Sequence, residues 1–116
     1  MTTYIIQVDK GEEVIDKLNR GVEVFGVERG PISIIGAIQQ ATVSVMPKNN
    51  PKDDILRDYD APFEITGTGE VVDGKVHIHV SMGGEDQVVV GHLHRAIVGD
   101  WFVRAYITDM DDVSTL

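Results

Sequence analysis

Four histidines fall within eighteen residues of this chain, as His77-Ile78-His79 and His92-Leu93-His94. In a β-strand, side chains two apart share a face, so each pair forms a two-point claw. Gly83-Gly84 lies between the pairs. A turn there folds the two strands together and can bring three or four imidazoles within reach of one metal ion. Zinc takes neutral imidazole nitrogens at about 2.0–2.1 Å, and three histidines leave a fourth position open. The chain has no cysteine, so histidine and carboxylate are the strong ligands it offers. The plain alternative is structural. Val76, Ile78 and Val80 take one face of the strand, and His77, His79 and Ser81 then line its wetter face.

Two carboxylates are the next candidates. Glu64 and Glu70 share a face of a regular strand and could supply a metal ligand or a general base. Their alternative is ordinary solvation. An open zinc position acidifies water and supports hydrolysis of a small substrate, with Glu64 or Glu70 as the base. No residue pattern specifies that substrate. Gly36, Gly67 and Gly69 suggest bulges or close approaches inside a sheet, not a phosphate loop. Nucleophile-elbow, Walker and dinucleotide-binding patterns are all missing.

The elements that must position these residues follow from periodicity. Thr3 to Val8 is rich in β-branched and aromatic residues and predicts an opening strand. Asp9 with Glu12 resembles a capping box. The following helix carries Val14, Ile15, Leu18, Val22 and Phe25 as one apolar stripe. Gly26, Gly30 and Pro31 end it. Everything after Pro31 predicts β-structure: Ile32–Ile38, Ala41–Met46, Phe63–Val72, Lys75–Ser81, Gln87–Ala96 and Trp101–Thr108. Asp73-Gly74 is a type I′ hairpin signal. Met46 to Asp54 predicts a loop. Trp101 and Phe102 are expected in the core or an interface.

Composition sets the frame. At 116 residues, with 42% hydrophobic and 25% charged, the chain predicts one domain over 1–116 with an acidic tail at about 109–116. The fold class is α+β: one main helix packed on a mixed, largely antiparallel sheet. The formal net charge of −9 opposes direct DNA binding, which relies on Lys and Arg neutralising phosphates. No apolar run reaches the ~20 residues of a membrane span. The start of the chain lacks the basic and small-residue signals of a secretory leader. A cytoplasmic location without membrane contact is the expectation.

The segments Gly36-Ala37-Ile38 with Ala41-Thr42, Phe63-Glu64-Ile65, His77-Ile78-His79-Val80-Ser81 and Gly91-His92-Leu93 resemble the plants-and-prokaryotes conserved (PPC) domain. The resemblance runs from about Val8 to about Ile107. It implies a homotrimer, with zinc held by His77, His79 and His92. His94 lies outside the pattern, as a candidate fourth ligand or a partner of His92. Three residues depart from the family pattern. Val90 stands where many members have glycine, Arg95 replaces a residue that is often acidic, and Arg104 falls near a common glutamate. In plants the domain accompanies AT-hook motifs, and no Arg-Gly-Arg-Pro core occurs here. The expected function is a homotrimeric, zinc-binding interaction or ligand-binding module with a small-molecule or protein partner. The alternatives are a zinc-dependent hydrolase and, from the family label, a DNA-binding protein.

Overall fold

The computed structural model describes residues 1–116. Its elements are β1 (Thr2–Val8), α1 (Val14–Phe25), β2 (Arg29–Val45), β3 (Ile55–Val72), β4 (Lys75–Gly83), β5 (Val88–Ile97) and β6 (Val103–Asp109). Strand makes up 59% of the chain and helix 10%, so α+β describes it only loosely. The sheet order is β1-β6-β2-β3-β4-β5, and β5 pairs again with β2. That extra pairing closes β2, β3, β4 and β5 into a ring. No helix is long and apolar enough to cross a membrane.

All strand pairs are antiparallel, which corrects the expectation of a mixed sheet. The reason is topological. β1 and β2 flank the helix and run the same way, but β6 inserts between them and pairs antiparallel with both. A second correction concerns β2. The two strands expected over Ile32–Ile38 and Ala41–Met46 are one seventeen-residue strand. Its first half pairs with β6 at Ile32–Gly36, and its second half pairs with β5 at Gln40–Ser44. Gly36 marks the change of partner. Its φ of 155° lies where side chains are disfavoured, and a Cβ there would stand 2.0 Å from the Phe102 carbonyl oxygen.

β3 begins at Ile55, eight residues before the expected Phe63. Asp58 and Asp60 pair regularly with Thr42 and Gln40, and a β-bulge accommodates Pro62. The register steps from Ile38↔Phe63 to Gln40↔Asp60, leaving an extra residue on β3 where Pro62 sits. The expected Asp73-Gly74 turn is present, with φ of 51° and 72°. β4 runs on to Gly83, past the predicted end at Ser81. β6 starts at Val103, so Trp101 and Phe102 precede it.

The helix starts later than Asp9. Asp9 N–H does donate to the Glu12 carboxylate (2.9 Å), but the cap is Glu13. Its carboxylate accepts from Ile15 N–H, Asp16 N–H and, across to β5, Ala96 N–H, each at 2.9 Å. Val14, Leu18 and Val22 are buried, whereas Phe25 is partly exposed and stacks on Tyr4 at 4.2 Å. Glu13→Ala is expected to cost about 2–3 kcal/mol, from a lost cap and an orphaned donor on buried Ala96. Glu13→Gln should restore most of it, and urea denaturation measures both.

One core of 24 buried apolar residues lies between the helix and the inner face of the sheet. The other face is open, and the molecule is a slab of 43 × 38 × 17 Å. After Asp109 the acidic tail has no regular structure, and residues 110–116 are exposed.

Candidate metal centre

Strand alternation sorts β4 into two faces. Ile78, Val80 and Met82 are buried in the core, and His77, His79 and Ser81 point outward. β5 pairs with β4 from Val88 to His92, which sets His92 directly across from His79. At His92 the strand changes partner: the same residue also pairs with Ser44 of β2. The histidines therefore gather where β4, β5 and β2 meet. His77 lies just past the end of the β4–β5 ladder, and its ring leans over the junction.

The ring centroids of His77 and His79 are 5.0 Å apart, those of His77 and His92 4.9 Å, and those of His79 and His92 5.7 Å. Each ring offers one nitrogen, and the three nitrogens lie within 4.8 Å of one another. Zinc–nitrogen bonds of about 2.0–2.1 Å place tetrahedral ligand nitrogens roughly 3.4 Å apart. Small side-chain rotations close that gap. The donor set of three imidazoles, with no thiolate and no bulky cover, fits zinc.

Burial holds the His92 imidazolium pKa below the ordinary histidine value, and the neighbouring His94, His77 and His79 add to the effect. The nearby carboxylate of Asp54 opposes it weakly. His92 is thus kept neutral, the form that binds metal.

His94 is placed differently from the other three. It is the extra residue of a bulge, since Thr42↔Arg95 is followed at once by Val43↔Leu93. Its Nε2 is 2.7 Å from the Ser44 hydroxyl, and its ring is 4.5 Å from that of His92. Ser44 is the one buried polar side chain of the protein, 3% exposed. Nothing in the sequence marks Ser44, because only the β2–β5 register brings it to the histidines.

The two carboxylates part company. Glu70 pairs with His77 across β3 and β4, and its Oε2 is 3.4 Å from His77 Nδ1. That contact leaves Nε2 of His77 for a metal, the usual way a carboxylate orients a metal-binding imidazole. Glu64 sits four residues further along β3 than Thr68, the partner of His79, or about 13 Å away. It lies instead in a cleft of about 1050 Å³ on the same outer face. The cleft reaches Thr66 and Ser81, each two residues along its strand from the His79 row. Arg104 does not reach the histidines of its own chain. It stacks on Phe102 at 4.5 Å and donates to the Gln7 side chain on β1. Arg95 is exposed beside Thr42, and Val90 is exposed opposite Ser81.

No curated protein matches the chain. Among solved structures, it is similar to a protein of Bacteroides thetaiotaomicron provisionally described as DNA-binding. Identity is 25% and the TM-score 0.83, covering 95% of this chain and 80% of that one. It is also similar to a metal-containing protein of Archaeoglobus fulgidus, at 25% identity and TM-score 0.78, covering 94% and 81%. A plant- and prokaryote-conserved (PPC) protein of Pyrococcus horikoshii matches at 25% identity and TM-score 0.78, covering 95% and 81%. The model of the Plants and Prokaryotes Conserved (PCC) domain matches residues 1–110, and the chain therefore belongs to that family.

Proposed function

We propose that this protein is a homotrimeric, cytoplasmic module that holds zinc through His77, His79 and His92 and binds a small-molecule or protein partner. The observation that carries the reading is the convergence of three imidazole nitrogens within 4.8 Å beside an open cleft. When bound, zinc supplies Lewis acidity at the position the three histidines leave open. The chain's own contribution is to hold the rings: Glu70 orients His77, and Ser44 fixes His94 against His92. The metal-containing relative from Archaeoglobus fulgidus supports the metal part of the reading.

Support for self-association comes from the open face of the sheet. Ile5, Tyr106 and Val90 are all exposed on it, and a second copy would cover apolar surface that a monomer leaves wet. Direct DNA contact has no part in this reading. A net charge of −9 repels phosphates, and the DNA-binding description belongs to the Bacteroides protein.

A second reading, zinc-dependent hydrolysis of a small substrate, is favoured by the cleft that begins next to the histidines. In it Glu70, 3.4 Å from His77, is the candidate base, since Glu64 stands about 13 Å along β3 from the histidine row. Ester hydrolysis that persists unchanged after metal removal would end this reading.

Elemental analysis with native mass tests the main proposal, at pH 7.5 and through an acid titration. About one zinc per chain in a trimer is expected at neutral pH. Because the folded state keeps His92 neutral below the ordinary histidine pKa, protons compete for the site only under acid. Metal release is expected between about pH 6 and 5. His92 has a lowered folded-state pKa, so the metal-free protein should also lose stability as pH falls through about 6.5. A clean trimer with no metal at neutral pH overturns the zinc assignment, and a metal-loaded monomer overturns the trimer.

A further inference from the structure

The cleft beside the histidines has a chemistry of its own. Its floor is the outer face of β2 and β3, with Ile35 and Glu64. One wall is the turn between β4 and β5, with Glu85 and Asp86, and the other is Trp101 with Phe102. Three carboxylates line it and no lysine or arginine does. Arg104 lies over the Phe102 ring and donates to the Gln7 amide, and forms no ion pair with these carboxylates. Trp101 is 71% exposed and engages no other ring and no cation. A volume of about 1050 Å³ is that of a site for a small organic molecule.

These features select by charge and shape together. Three carboxylates with no ion-pair partner outnumber the one guanidinium at the rim. The resulting negative potential, in a recess walled by apolar rings, concentrates cations and repels anions. An exposed indole face offers an apolar platform and an attractive quadrupole for a positive group. Gly83, on the wall at the β4–β5 turn, borders open space, since a Cβ there would meet nothing within 4 Å. We propose that the cleft binds a small organic cation: a primary ammonium or guanidinium carried on an apolar body. The charged group sits among Glu64, Glu85 and Asp86, and the body lies on Trp101. This goes beyond the metal reading and does not depend on it.

Trp101 is the only tryptophan of the chain, so its emission reports the site alone. The experiment titrates metal-free protein with 4-phenylbutylamine and, separately, with 4-phenylbutyrate, which has the same body and the opposite charge. The amine is expected to give a saturable change in emission with Kd of about 1 mM or tighter. The acid should bind at least about tenfold more weakly, and added salt should narrow the difference. Glu64→Gln with Glu85→Gln should weaken the amine about tenfold while circular dichroism shows an unchanged fold. Three results overturn the proposal: no saturable change with the amine, equal binding of amine and acid, or Trp101 shielded from acrylamide by a second copy of the chain. Loss of zinc binding in the other experiment would leave this outcome untouched, so the two readings fail separately.

Discussion

His92→Ala is expected to lower zinc affinity at least about a hundredfold, while His94→Ala lowers it about tenfold or less. The contrast rests on geometry. His92 is the hinge of the cluster, paired with His79 on one side and Ser44 on the other. Removing its imidazole leaves two nitrogens on β4, too few to hold the ion. His94 is turned to the Ser44 hydroxyl at 2.7 Å, so its loss mainly slackens the support behind His92. Stability should move in the opposite order. His94→Ala strands the buried Ser44 hydroxyl and costs about 1–3 kcal/mol, whereas His92→Ala relieves a ring held neutral by burial and should cost less. Chelator competition and urea denaturation on the two variants give the four numbers. Equal loss of zinc in both would mean that the Ser44 bond opens and His94 joins the metal.

Gly69→Ala should destabilise the fold by about 3 kcal/mol and weaken metal binding without touching a ligand. Gly69 of β3 faces Ile78 of β4, between the two histidines. A Cβ at this position would stand 2.2 Å from the His77 carbonyl oxygen and 2.9 Å from the Ile78 Cα. Backbone cannot yield as a side-chain tip can, so β4 must shift away and carry His77 and His79 with it. Shifts of this kind are costly in a close-packed sheet. Gly83→Ala, where the added methyl meets only open space, is the control and should leave stability near wild type. Matched denaturation and zinc titration of the two variants check this. If Gly69→Ala loses stability but keeps full zinc affinity, the histidine geometry is less dependent on the β3–β4 spacing than the structure implies.

Much of the site was legible before any fold existed. Two H-x-H pairs around a glycine turn put each pair of imidazoles on one face of its strand, because strand alternation is local. The trio His77, His79 and His92 followed only from the resemblance to the PPC pattern. The Asp73-Gly74 hairpin was equally plain, since its positive φ values are a property of two residues. Glycines at 67 and 69 announced close approach, and the Cβ distances at both positions agree.

Other features could not be read in this way. The first half of β3, residues 55–62, goes unassigned from sequence because the bulge that absorbs its extra residue depends on the partner strand. Glu13 caps the helix and binds Ala96, eighty-three positions away, so local spacing favoured the Asp9–Glu12 pair. Trp101 is expected in the core or an interface, and its position before β6 takes it out of the core and leaves it on the cleft wall. Glu64 and Glu70 share a face, but only the strand pairing sends one to His77 and the other to the cleft.

By itself, the sequence determined the side chains available: paired imidazoles, no thiolates, a negative surface and strands that alternate. Tertiary structure alone decided which nitrogens converge, that Ser44 engages His94, and that an acidic aromatic cleft opens beside them. The physical reason is range. Side-chain period and turn preference act over two to four residues. Register between β2 and β5 joins positions about fifty residues apart, as in Ser44↔His92, and no local preference encodes that distance.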